Sequence, residues 1–141
     1  MNNYMKTGIN KIEHIGIAVK SLEVSIPQFE KLLGSKCIKI EEVKDQFVRT
    51  AFFLIGNVKI ELLETTSNDG PISNFINKNG EGIHHIAFEV DNVDESLKIS
   101  KELGFKLIDN ISRLGADELR IGFLNPRSTS GTLIEFCSHG K

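Results

Sequence analysis

The chain has 141 residues, and 17 basic against 19 acidic side chains leave a net charge of −2. That length buries one real core and is short for two independent domains, while the lack of any basic run excludes the usual footprint of a nucleic-acid binder. Two cysteines, Cys37 and Cys137, sit inside apolar runs and read as reduced core residues rather than a disulfide framework. The opening MNNYMKTGIN offers no signal-like stretch, and no apolar run approaches the ~20 residues that cross a bilayer. A soluble, cytoplasmic protein with no membrane partner is expected.

In chain order, residues 12–19 alternate strongly and are rich in Ile and Val, which predicts a strand. A helix follows, ending at Gly34 and either kinked or restarted at Pro27, because proline cannot continue the backbone ladder. Strands are predicted at about 36–42, 47–55 and 58–64. The polar joint SNDGPISNFINKNGEG has room for a short helix beginning at Pro71. The pattern then repeats: a strand at 83–90, a helix from Asn92 to Gly104 opened by an Asn92/Glu95 capping box, and strands at about 105–109, 118–124 and 132–137.

The repetition is also visible residue by residue. IEHIGIAVKSLEVS lies over IHHIAFEVDNVDES at an offset of 71, placing His14 on His85. Arg49, Ala51 and Phe52 fall on Arg120, Gly122 and Phe123, and KIELLE meets LIEFCS after a three-residue insertion, placing Glu61 on Glu135. Each half reads β-α-β-β-β. The fold class is therefore α+β, one domain over 9–138 with a first module at 9–66, a linker at 67–81 and a second module at 82–138.

Strand alternation sets His14, Gly16 and Ala18 on one face and Ile15, Ile17 and Val19 on the other, and the second copy repeats this with His85, Ala87 and Glu89. Glu61 and Glu135 sit among apolar neighbours, where a lone carboxylate is costly and pairing or coordination relieves the cost. A single strand histidine or glutamate is ordinarily structural. The recurrence of both at matched positions instead points to His14, Glu61, His85 and Glu135 as ligands of one divalent ion. The mixed N/O set suits Co²⁺, Ni²⁺, Mn²⁺, Fe²⁺ or Zn²⁺. His84 points to the opposite face and reads as structural, and His139 has no assigned role.

From Ile12 to about Ser138 the segments KIEHIGIAVKSLE, NVKIELLE, PISNFINKNGEGIHHIAFEVDNV and FLNPRSTSGTLIEF resemble the methylmalonyl-CoA epimerases of the vicinal-oxygen-chelate superfamily. The resemblance implies two paired βαβββ modules forming a cupped eight-stranded sheet around the metal, Co²⁺ first among the candidates, an acyl-CoA substrate and a homodimer. It implies an isomerase that interconverts the C2 epimers of methylmalonyl-CoA through an enolate, with Glu135 as ligand and base and Asp45 as the second base, Glu41 or Glu42 being the substitutes. Arg127, Ser128 and Thr129 suit a phosphate-bearing CoA by residue type. The chain departs from the family at GADELR, where a glycine-rich run is usual, and at Asn125-Pro126-Arg127 in place of His-Pro-Lys. Alternatives on the same fold are a glyoxalase I-type lactoylglutathione lyase, a non-catalytic resistance protein that sequesters a ligand, and an Fe²⁺ dioxygenase.

Overall fold

A computed structural model describes residues 6–139 of the chain. The βαβββ order occurs twice. The first copy comprises β1 (Ile9–Ala18), α1 (Leu22–Leu33), β2 (Lys39–Val43), β3 (Val48–Ile55) and β4 (Val58–Thr65). After α2 (Pro71–Asn79), the second comprises β5 (Gly82–Val90), α3 (Val93–Glu102), β6 (Arg113–Leu114), β7 (Arg120–Leu124) and β8 (Ile134–Ser138). The expected α+β class is thus borne out. Residues 14–84 form one compact unit; residues 85–139 form the other and include the leading segment 6–13.

In the first unit the strands run in the order β2-β3-β4-β1, with β4 parallel to β1 and antiparallel to β3. Val19, Leu22, Ala51, Phe53 and Leu62 make the core beneath α1, joined by Ile17, Phe29 and Ile60. Helix α1 is continuous from Leu22 to Leu33 with Pro27 inside it, so it does not restart there; Pro27 is exposed, and its ring lies away from the packed side. Gly34 ends the helix at φ 67°, a left-handed cap that returns its N–H to Glu30 O. The opposite face of the same strands meets α2. Ala18, Val48, Leu63 and Ile72 cluster there with Phe75 and Ile76, and α2 begins at Pro71 as expected.

The second unit orders its strands β5-β8-β7-β6, with Val90, Val93, Leu97, Leu124 and Phe136 packed between sheet and α3. The Asn92 side chain accepts from Glu95 N–H at 2.9 Å, the cap the sequence announced. Residues 105–109, expected as a strand, are not one: only Leu107 bridges to Leu124. The reason is local. The Asp109 carboxylate takes the Phe123 N–H at 2.8 Å, in the place of a ladder carbonyl, while Ile108 N–H and Asp109 N–H both turn to Phe123 O. A two-residue edge, β6, pairs with β7 instead. In the loop before β7, Asp117 and Glu118 adopt φ 58° and 59°, a left-handed conformation that glycine takes with least strain.

Helix α3 approaches the sheet closely because β7 carries Gly122. A Cβ there would lie 2.8 Å from Leu97 Cδ1 and 3.2 Å from Val93 Cγ1, both in the fully buried core. Gly122→Ala should therefore overpack the core and cost about 1–3 kcal/mol. Chemical denaturation should show this as an earlier midpoint with an unchanged slope.

Candidate metal and active site

Each unit builds one buried histidine–glutamate pair. In the first, β1 and β4 run parallel with Gly16 beside Glu61 and His14 beside Lys59, so both side chains project from one face. His14 and Glu61 are each 3% exposed, and Nδ1 lies 3.3 Å from Oε2. In the second, parallel β5 and β8 place Ala87 beside Glu135, and His85 Nε2 lies 3.4 Å from Glu135 Oε1. These two are 6% and 4% exposed. The small residues Gly16, Ala18 and Ala87 share faces with the histidines, as alternation required; Ala18 and Ala87 are fully buried there.

The spacing within each pair is informative. A charge-assisted N–H···O bond would close to about 2.7–2.9 Å, shorter than either distance. Two side-chain donors that would hold one ion are not bonded to each other and stand farther apart than that. Both pairs thus have the donor chemistry and the separation of neighbouring ligands, and a divalent ion fits them.

The glutamates are set against aromatic rings, which the reading by residue type passed over. Phe52 is directly opposite Glu61 across β3–β4, and Phe123 directly opposite Glu135 across β7–β8. The Phe123 ring also meets the His85 imidazole edge-on at 5.8 Å. These rings keep water from the carboxylates. The signal was present in the repeat, since Phe52 and Phe123 occupy matched positions.

Of the three acidic candidates for a second base, Asp45 is exposed on the 3₁₀ turn Lys44–Gln46 between β2 and β3. Glu41 pairs with Thr50, which pairs with Leu63, so it shares the face of Glu61; Glu42, paired with Arg49, faces the other way. Arg127 is exposed, while the Ser128 hydroxyl donates to Asn125 O and the Thr129 hydroxyl to Thr132 O, which closes the turn on itself. His139 is exposed beyond β8. No described helix is long and apolar enough to cross a membrane.

Comparison with known proteins agrees with this geometry. A sequence profile of the glyoxalase/bleomycin resistance protein/dioxygenase superfamily matches residues 13–123. The chain belongs to this superfamily. It is 40% identical over 129 residues to the uncharacterized protein YqjC of Bacillus subtilis, covering 92% of each chain. It is 34% identical to the mitochondrial methylmalonyl-CoA epimerase of Dictyostelium discoideum, covering 92% of this chain and 79% of that protein. A solved Streptomyces coelicolor methylmalonyl-CoA epimerase, bound to 2-nitronate-propionyl-CoA, superposes with a TM-score of 0.89 at 31% identity, covering 93% and 95% of the two chains. Such epimerases are isomerases, and the vicinal-oxygen-chelate fold expected from the sequence is theirs.

His84 lies on the other face of β5 from His85, edge-on to the Phe75 ring of α2 at 5.0 Å. Burial lowers its pKa from 6.5 to about 4. The imidazole is then neutral in the folded protein, whereas the unfolded chain takes up its proton near 6.5. Folding stability should be insensitive to this group above pH 6.5 and should fall as pH drops from 6.5 towards 4. Urea titrations across that range should show a shallower pH dependence for His84→Gln than for the unsubstituted protein.

Proposed function

We propose that this protein is a metal-dependent epimerase that interconverts the C2 epimers of methylmalonyl-CoA through an enolate. The observation that carries the proposal is the twice-built, buried histidine–glutamate pair. It occurs on a chain similar over nine-tenths of its length to methylmalonyl-CoA epimerases. His14, Glu61, His85 and Glu135 are assigned as the ligands of one divalent ion, Co²⁺ foremost, in a cytoplasmic homodimer. Two carboxylates balance the charge of such an ion, and the neutral imidazoles add nitrogen donors. When bound, the ion would supply Lewis-acid stabilisation of negative charge on the substrate oxygens.

The rest of the chemistry falls to the chain. The C2 proton lies between a thioester carbonyl and a carboxylate, so its removal gives a planar, delocalised carbanion. Inversion requires a proton to leave one face and return on the other, which is simplest with a carboxyl group on each side. Glu135 is assigned to one face. It is buried, with Phe123 directly opposite it across β7–β8. Asp45 is assigned to the other; its turn joins β2 to β3 at the edge of the first module.

Incubation with methylmalonyl-CoA in D₂O should place deuterium at C2 and interconvert the epimers. The hemithioacetal of glutathione and methylglyoxal should not turn over, and the reverse result would make the protein a glyoxalase. His85→Ala should lose metal and activity together, measured by elemental analysis and epimer ratio, whereas His84→Gln should keep its metal.

Asp45→Asn should retain the metal but lose interconversion by a factor of about 10² or more. One epimer should continue to exchange its C2 hydrogen without inverting, because the base on its own face is intact. Full epimerase activity in this variant would remove Asp45 from the mechanism and direct attention to Glu41, on the face of Glu61.

A further inference from the structure

The two modules treat the N-terminus of their first helix differently. In the first, Glu64 at the end of β4 reaches that terminus: its Oε2 accepts the Leu22 N–H at 3.1 Å, and its Oε1 lies 3.6 Å from Arg49 Nη2. Ser21, the N-cap, provides no side-chain bond, so this carboxylate does the capping. Arg49 and Glu64 are cross-strand partners.

The second module keeps every partner of that carboxylate and lacks the carboxylate itself. The offset of 71 places Val93 on Leu22 and Arg120 on Arg49, and the strand register places Ser138 opposite Arg120 as Glu64 is opposite Arg49. Serine is too short to reach the helix. A cavity of about 220 Å³ opens there, lined by Asn92, Val93, Asp94, Ser112, Arg120 and Ser138. Ser138 is 4% exposed, and its hydroxyl makes no hydrogen bond among the described residues. Arg120 donates to Ser112 O at 2.6 Å and to Ser112 Oγ at 3.1 and 3.2 Å, all neutral acceptors, and has no carboxylate within ion-pair distance among the described residues. Asp94 adds a negative charge to the lining. Its two oxygens are engaged by the Ser112 N–H and hydroxyl at 2.7 and 2.9 Å.

We propose that this cavity is a binding site for a small oxyanion, occupying in the second module the position that the Glu64 carboxylate fills in the first. Arg120 supplies the charge, Ser138 a hydroxyl donor, and the first turn of α3 its unpaired N–H groups and dipole. A carboxylate of acetate or propionate size is the preferred ligand, being the group that Glu64 presents, and inorganic phosphate shares the same chemistry. Ser138 and Phe136 project to the α3 side of β8 and Glu135 to the other, so occupancy acts on the stability of the module rather than on the reacting carbon. The site stands whether or not the epimerase assignment does.

Thermal unfolding of the metal-loaded protein in sodium acetate, sodium phosphate and sodium chloride at equal ionic strength tests it. Acetate, phosphate or both should raise Tm over chloride by roughly 2–5 °C, and the larger response identifies the ligand. Ser138→Glu should raise Tm in chloride and abolish the response, because the variant carries its own carboxylate. Arg49→Gln should lower Tm and keep the response. Should Ser138→Glu not fold, amide chemical shifts of the unsubstituted protein titrated with acetate and phosphate decide the matter. Saturable shifts at Val93, Asp94 and Ser138 support the site; equal Tm in all three salts, or shifts confined to other residues, would overturn it.

Discussion

Burying a carboxylate beside an imidazole in the interior of a parallel strand pair is the constraint around which each module is arranged. A glutamate with 3–4% of its surface exposed is tolerated only where partners offset its desolvation. The strand register supplies them. Parallel pairing of β1 with β4, and of β5 with β8, brings histidine and glutamate to one face. A single-residue slip would turn all of them to the face packed on α1 and α3. The bulky residues of the opposite face, Phe53 and Leu62 in one module and Leu124 and Phe136 in the other, hold the register by packing on α1 and α3.

The copies have diverged most where the paired residues impose nothing. The helix ends are one example: a carboxylate from β4 caps α1, whereas α3 is capped by its own Asn92. The strand following the helix is another. It is regular in the first module, and in the second an aspartate side chain occupies the ladder and a two-residue edge takes over. The two modules match in the strand pairs that carry histidine and glutamate and differ at their edges.

Membership of the superfamily fixes the scaffold without fixing the reaction, since isomerases, dioxygenases and binding proteins share it. The distinction lies in what the faces carry. Ligand-type residues recur in both modules here, each glutamate sits against a phenylalanine, and the similarity to epimerases extends over nearly the whole chain. Together these are the features that support the epimerase reading proposed above.

Alternation and the internal repeat were sufficient, in the sequence alone, for the βαβββ order, the faces of the two histidines and the two glutamates, the Asn92 cap and the helix at Pro71. Those features depend on local periodicity and on residue types whose backbone preferences are strong. The sequence did not reveal that α1 would pass through Pro27, because that depends on which side of the helix faces solvent. Nor did it reveal that residues 105–109 would give up their ladder to the Asp109 carboxylate. The Glu64 bridge to α1, and the cavity where Ser138 stands in its place, join residues 42 positions apart and more than that in the second module. Only the tertiary fold, by setting strand against helix, decided which of these polar side chains meet.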